Sequence, residues 1–390
     1  MSSSIPGAGE PRVLVYCHNV FGLGHIVRSS RIAAELAPGE RCACRLITGC
    51  SFLDHLDIDP RIEVVRLPAL RSAGGGRLEP VDGGPLGPVL QERTRRIAEE
   101  VESWRPHVVL VDHNPLGLLG EMITALDASR QAAAPTRFVW GVRDIWGAAG
   151  YLDLMRPFRD LGSRVECYHS VIAYTDDRWL DTFGEHPGIG LPPHRRSVGF
   201  VTGRVPPASP PGEPPLITAL SGGGTQAGDL LDLLMEAVGD ALDRGELRLR
   251  FVIGPFTPEG PLRARAGGRP GVDLWPEGTV EEAVEGASLV VSRVGYNTAY
   301  MVVQTNLPVV FVPIRAENRE QTLRAARLAE LEGVYSVDET APAQDLLPSL
   351  RDAIRRGLAE TPVSRRLPFA VDGARRAADW LLEVAAEVRV

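Results

Sequence analysis

The sequence predicts an α/β protein of two doubly wound domains, and three observations carry that prediction. Short apolar runs rich in β-branched residues recur along the chain, each too short for a helix and each followed by a turn and a helical pattern. Val13–Cys17 opens the first half in this way and Ile217–Leu220 opens the second. Between them, Val205–Pro215 holds six prolines in eleven residues, the composition of a linker. At 390 residues the chain has the length of two ordinary domains.

Totals narrow the function classes. Hydrophobic residues make up 44% and charged residues 24%, which places the chain among globular proteins. A net charge of -8 argues against nucleic acid as a bulk partner, which needs a positive face. All 42 basic residues are arginine, a mark of GC-rich coding. Without lysine there is no phosphate-loop ATPase, no protein-kinase lysine and no Schiff base to pyridoxal phosphate. Cys17, Cys42, Cys44, Cys50 and Cys167 lack C-x-x-C spacing and read as reduced, structural thiols. No apolar run reaches the length of a membrane span, and Met1–Pro11 lacks the apolar core of a signal peptide. A cytoplasmic protein is expected.

In the first half, Val13–Cys17 runs into His18-Asn19-Val20-Phe21-Gly22-Leu23-Gly24-His25-Ile26-Val27-Arg28. Gly22 and Gly24 mark a tight strand-to-helix loop, and the helix continues through Ser29–Leu36. Cys44–Thr48 and Glu63–Leu67 read as strands, and Gln91–Trp104 as a solvated amphipathic helix. Arg71–Pro88, with its glycines and prolines, reads as an irregular loop, either an acceptor-side wall or a plain surface excursion. Three more strands end in polar residues, at Asp112-His113, at Arg143-Asp144 and, over Val171–Asp177, at Asp176. In a parallel sheet those ends face the ligand edge, so His18, Asp112, Arg143 and Asp176 are expected on one rim.

In the second half, Ile217–Leu220 leads into Ser221-Gly222-Gly223-Gly224-Thr225-Gln226 and a helix over Asp229–Leu242, followed by a strand at Arg250–Ile253. Leu289–Ser292 and Val309–Val312 are paired buried strands joined by a helix. Gly295 allows a close turn, and Asn297-Thr298 sits where that helix starts. With Arg293 beside them, the free N–H groups there form an anion site suited to a diphosphate. After the next strand, Glu317-Asn318-Arg319-Glu320-Gln321 offers paired carboxylate and amide groups of the kind that hold sugar hydroxyls. Val371–Val388 reads as an amphipathic helix.

Arg293, Gly295, Asn297, Thr298, Glu320 and Gln321 fall in order on a pattern that resembles the nucleotide-sugar signature of GT-B glycosyltransferases. Leu307-Pro308 and Phe311-Val312-Pro313 resemble the MurG-like group of that fold, and Ser221–Gln226 resembles its second diphosphate loop. Gly22–Arg28, as G-x-G-H-x-x-R, resembles the N-terminal loop of the same group, and equally the loop of nucleotide-sugar hydrolases of sialic-acid-like pathways. Val111–Gly117 and Gly141–Ile145 resemble predicted bacterial MurG-like transferases. One position departs: Met301 stands where the family has a Glu for the ribose hydroxyls, and a thioether cannot take that hydrogen bond. The resemblance implies two Rossmann-like domains facing across a cleft. They are an acceptor domain over residues 1–204, a nucleotide-sugar domain over 205–370, and a last helix over 371–390 crossing back. It also places the nucleobase near Val272–Val280, where Trp275 is read as packing more than stacking.

The implied function is an inverting, metal-independent glycosyltransferase of the hexosyl type. It would move a sugar from a UDP or dTDP donor to a hydroxyl or amine of a small molecule, such as a natural product of secondary metabolism, with no further cofactor. Asp57-Ile58-Asp59 is the one tidy D-x-D, but it reads as a turn rather than a metal site. His25 is the candidate base, since a neutral imidazole can take the acceptor's proton. By analogy with the His–Asp dyad of small-molecule glycosyltransferases, Asp112 orients it. A helix-capping or donor-phosphate role for His25 stays open, with His18 or His113 then serving as base. Gly222, Gly223, Gly224, Thr225, Arg293, Gly295, Asn297, Thr298, Glu320 and Gln321 are the donor-side candidates. His18, Asn19, Gly24, Arg28, His113 and Arg143 are the acceptor-side ones. Two other readings stand beside this: a nucleotide-sugar hydrolase in which His25 activates water, and a non-catalytic helper subunit, which Met301 favours.

Overall fold

The computed structural model describes residues 10–20, 22–37, 41–74, 77–132, 135–145, 164–184, 191–205, 209–222, 227–276, 278–314, 319–337 and 342–388. They fall into two units, Met1–Thr202 with Phe369–Val390, and Gly203–Pro368. Each unit is a parallel sheet flanked by helices, so both are Rossmann-like.

The first unit begins with β1 (Arg12–Cys17), α1 (Gly24–Leu36), β2 (Ala43–Thr48) and β3 (Glu63–Arg66). A hairpin of β4 (Leu70–Gly74) and β5 (Arg77–Pro80) and then α2 (Leu86–Trp104) follow. The unit continues with β6 (Val108–Asp112), α3 (Ile123–Gln131), β7 (Arg137–Val142), β8 (Tyr168–Ala173) and β9 (His194–Ser197). Seven strands join in the order β3-β2-β1-β6-β7-β8-β9. The central strands are apolar on both faces because helices cover both, as the fully buried run Val108–Asp112 shows. The order reverses beside β1, and the crevice where ligands bind such sheets lies at the carboxyl ends of β1 and β6.

Three expectations need correction here. Arg71–Pro88 is not an irregular excursion. Leu70, Arg71 and Ser72 pair antiparallel with Pro80, Glu79 and Leu78, so the segment opens as a pair of strands. The second helix starts at Leu86 rather than Gln91, because Pro88 falls in its first turn, where no intrahelical donor is required. The strand placed over Val171–Asp177 runs from Tyr168 to Ala173, which leaves Asp176 in the following loop.

The second unit contains β10 (Leu216–Leu220), α4 (Ala227–Asp243), β11 (Arg248–Val252), α5 (Glu259–Ala266) and β12 (Val272–Trp275). It goes on through α6 (Val280–Ala283), β13 (Leu289–Ser292), α7 (Tyr296–Val302), β14 (Val309–Phe311), α8 (Glu320–Leu328), β15 (Val334–Ser336) and α9 (Ala343–Ala359). Six strands follow the order β12-β11-β10-β13-β14-β15, with the reversal beside β10. The last helix, α10 (Gly373–Glu387), belongs to the first unit and packs on α1, β1, β6 and β7. Gly373 is needed at its start, since a Cβ there would stand 2.3 Å from the carbonyl oxygen of Gly199.

Under the hairpin lies a buried ion pair. Arg93 on α2 donates to Glu121 through Nε at 2.6 Å and Nη2 at 2.8 Å, and through Nη1 to the carbonyl of Pro68 at 2.7 Å. Tyr16 of β1 donates to the same carboxylate and accepts from the Leu118 N–H. Arg93 and Glu121 are 0% and 2% exposed, so either charge alone would be stranded out of water. Glu121→Ala should therefore cost about 3–5 kcal/mol in denaturant unfolding. A double apolar replacement of Arg93 and Glu121 should cost much less, because it strands no charge.

Candidate active site

In the first unit the site is assembled at the reversal point of the sheet. Asp112 is the last residue of β6 and is 0% exposed. α1 opens straight out of the loop after β1, which puts His25 on its first turn and Arg28 one turn further along the same face. His25 Nδ1 lies 2.6 Å from Asp112 Oδ2. Arg28 donates to Asp112 Oδ1 from Nε at 3.1 Å and from Nη2 at 2.9 Å, and Nη2 also reaches Oδ2 at 2.8 Å. Its guanidinium lies 4.9 Å from the centroid of the Tyr174 ring. Arg28 is thus engaged on Asp112 and 1% exposed.

Around His25 stand two more histidines. Ring centroids of His18 and His113 lie 4.5 and 5.5 Å from that of His25. His113 has φ 62°, an uncommon left-handed conformation for a residue with a side chain. Its N–H donates to the Gly141 carbonyl at 2.7 Å, and its carbonyl accepts from Trp140 Nε1 at 2.8 Å, which hold the turn. Arg143 Nη2 approaches His113 Nε2 at 3.3 Å, so that nitrogen carries the lone pair. Asp176 lies in the loop after β8, where its carboxylate takes the Ala370 N–H at 3.0 Å and the Arg178 guanidinium.

The charges are set by burial. Burial disfavours the Asp112 carboxylate, but Arg28 and His25 outweigh it and hold its pKa well below the usual carboxylate range. Burial lowers His25 while Asp112 opposes the drop, leaving the imidazole neutral at about pH 7. With Asp112 ionised, His25 Nδ1 is the protonated nitrogen, and Nε2 keeps a lone pair able to accept a proton. His18 is pushed down to about 3 by burial and then by the neighbouring His25. His113 lies well below its ordinary value through burial and then Arg143.

In the second unit β10 and β13 pair side by side, and glycines follow both strands. Gly295 precedes α7 with φ -64° and ψ 145°, and a Cβ there would meet nothing within 4 Å. Gly222 has φ 72° and is equally open, while Gly223, Gly224 and Thr225 lie outside the described residues. Asn297 and Thr298 are partly buried on the first turn of α7. Arg293 was expected to face an anion, but it is 8% exposed and its Nη1 donates to the carbonyls of Val312 and Pro313, each at 3.1 Å. It braces the end of β13 against the end of β14.

Gln321 and Glu320 were expected to hold sugar hydroxyls, and their oxygens do other work in this structure. Gln321 Oε1 accepts from the N–H groups of Val294 and Ile314 at 3.0 and 3.1 Å. Glu320 Oε1 accepts from Arg324 Nη2 at 2.6 Å, and Arg324 Nη1 donates to the Val294 carbonyl at 2.7 Å. Val294 is therefore clamped on both backbone groups by α8. Arg324, 1% exposed, went unread in the sequence, although its place one helical turn after Glu320 was the available signal. Met301 is 5% exposed. Trp275 packs beneath Arg250, whose guanidinium lies 4.3 Å from the ring centroid. Asp59 is paired with Arg61, and among the described residues no group of three or more His, Cys, Asp or Glu side chains could hold a metal ion. No helix among them is long and apolar enough to cross a membrane.

No family model matches the chain. The UDP-N-acetylglucosamine--N-acetylmuramyl-(pentapeptide) pyrophosphoryl-undecaprenol N-acetylglucosamine transferase of Thermobifida fusca is 29% identical over 147 residues, which cover 36% of this chain and 39% of that protein. Among solved structures, the spinosyn forosaminyltransferase SpnP superposes with a TM-score of 0.58 at 14% identity, over 97% of this chain and 95% of its own. MurG of Acinetobacter baumannii superposes with a TM-score of 0.54 at 15% identity, over 97% and 99%. At such identities the likeness is one of fold, and the fold is GT-B.

The three clustered histidines make the first unit acid-labile. The folded values of His18, His25 and His113 lie below the roughly 6.5 of an unfolded histidine, so on acidification the unfolded chain takes up protons first. Stability should decline as pH falls below about 6.5, by up to ~1.4 kcal/mol per pH unit for each histidine. Asp112, shifted downward, gives up its contribution only below the ordinary carboxylate range. Urea titrations at stepped pH should show this slope, and His18→Phe should flatten it.

Proposed function

We propose that the protein is a glycosyltransferase that moves a sugar from a nucleoside diphosphate to a hydroxyl or amine of a small-molecule acceptor, by a single, inverting displacement that needs no metal. The observation that carries this reading is the 2.6 Å contact between His25 Nδ1 and Asp112, which leaves His25 Nε2 as a base at the helix start. Nε2 takes the proton of the attacking group as that group bonds to the anomeric carbon. The bond from the anomeric carbon to the diphosphate oxygen breaks, and the nucleoside diphosphate leaves. Attack opposite the leaving group inverts the anomeric centre. Asp112 fixes the tautomer and stabilises the imidazolium that forms, and Arg28 keeps Asp112 ionised.

On the donor side, the open glycine positions Gly222 and Gly295 bring backbone N–H groups towards the leaving diphosphate, with UDP or dTDP as carrier. The part given to Gln321 is indirect: by holding Val294 and Ile314 it fixes the loop, and its amide N–H₂ is the group that can donate to the sugar. Arg293 acts as a brace behind the same loop.

Gly295→Val should leave the fold intact, since the backbone angles suit valine and the space is open. It should abolish binding of UDP and dTDP by calorimetry; unchanged affinity in the folded variant removes the diphosphate from this loop. Gln321→Ala should weaken the free diphosphate as well as the whole donor, because it frees the loop. Loss confined to the nucleotide sugar would restore a direct sugar contact.

His25→Ala should lower kcat by ~10²–10⁴-fold with donor affinity unchanged, and erase the acidic limb of the pH–rate profile. A proportional loss of donor affinity would make His25 a phosphate ligand. Asp112→Asn removes the group that raises the His25 pKa, so the acidic limb should move to lower pH as turnover falls. It should also destabilise the protein by about 3–5 kcal/mol by stranding Arg28.

A further inference from the structure

We propose that His18 and Asn19 form the acceptor-recognition element of this site, and that the acceptor is a polyol or amino alcohol carrying a second O–H or N–H beside the group that reacts. The proposal rests on the glycosyl-transfer reading above and adds the class of acceptor. Both residues follow β1 at the reversal of the sheet, and the His18 ring centroid is 4.5 Å from that of His25. Asn19 is 5% exposed, and its Oδ1 is buried without a hydrogen-bond partner among the described residues. His18 Nδ1 is buried and unpartnered in the same way.

Two such atoms on consecutive residues are unusual, since buried polar atoms in folded proteins nearly always find a partner. None of the described residues supplies a partner, and the chemistry of one from outside is constrained. An amide oxygen only accepts, so the incoming group must donate. Hydroxyls, amines and amide N–H groups qualify. Carboxylates, ethers and ionised phosphates do not. Neutral His18 adds one donor and one acceptor nitrogen, and a hydroxyl or amine, which both donates and accepts, suits it. The His18 ring stands beside the His25 ring, so a group held by His18 lies next to the one that His25 deprotonates. A vicinal diol or amino alcohol has that spacing; a lone phenol or a single alcohol leaves the pair unsatisfied.

The test compares trans-1,2-cyclohexanediol and trans-2-aminocyclohexanol with cyclohexanol as acceptors, with UDP-glucose and dTDP-glucose as donors, following release of the nucleoside diphosphate. The wild-type protein should favour the difunctional acceptors by on the order of 10²-fold or more in kcat/KM, because a site built around a hydrogen bond rejects the analogue lacking it. Asn19→Leu, similar in volume and without polar atoms, should collapse that preference to a few-fold. Its melting temperature should equal or exceed that of the wild type, because no hydrogen bond of the fold is lost. Equal use of cyclohexanol by the wild type would overturn the proposal, as would an intact preference or a lowered melting temperature in Asn19→Leu. Failure of the underlying reading looks different: no nucleotide is released with any acceptor, while the melting comparison still decides whether Asn19 serves a ligand or the fold.

Discussion

A single buried carboxylate organises the first unit. Asp112 is shut off from water at the end of β6, and a charge there is tolerable only with partners at hydrogen-bonding distance. Both partners, His25 and Arg28, come from one face of α1, so satisfying Asp112 also fixes that helix and the loop leading to it. The constraint propagates. Arg28 rests over Tyr174, and the Tyr174 hydroxyl lies 1.9 Å from where a side chain on Gly141 would begin. Gly141 lies on β7, beside Asp112 in register. Strand, helix and tyrosine are thus mutually held, and the neutral imidazole of His25 is a by-product of packing around one charge.

The second unit reaches rigidity by another route. The loop between β13 and α7 is only Arg293-Val294-Gly295, and its backbone is gripped by a neighbouring helix and anchored by its own arginine. Gln321 and Arg324 take the two polar groups of Val294, and Arg293 ties the strand end to the carbonyls beyond β14. A motif that reads as a row of ligand contacts is here partly a row of braces. The two roles are compatible, since a loop that presents N–H groups to a diphosphate works best when already ordered. They nonetheless alter what a substitution at Gln321 or Arg293 means, because the defect passes through the loop.

The fold and much of the site were legible in the chain for identifiable reasons. Apolar β-branched runs such as Val13–Cys17 and Leu289–Ser292 announce buried parallel strands, because a sheet covered on both faces needs side chains that avoid water on both. Gly22, Gly24 and Gly295 mark the close turns after them, and His25 falls at a helix start by spacing alone. Where the reading failed, the cause was local ambiguity. Glycine and proline in Arg71–Pro88 suit an irregular loop and a hairpin turn alike, and only the pairing of Arg71 with Glu79 decides.

By itself, then, the sequence determined the class of architecture, the strand ends that carry polar groups, and the candidates His25 and Asp112, since each depends on residue type and near-neighbour spacing. Tertiary structure alone decided which groups pair. Arg28 and Asp112 stand 84 residues apart in the chain, Arg93 and Glu121 stand 28 apart, and Arg324 meets Val294 across 30. It also decided which polar atoms remain unpaired, as at His18 and Asn19, and which histidines stay neutral. Hydrogen-bond partners and burial are properties of what surrounds a side chain, and those surroundings exist only once distant segments of the chain have packed together.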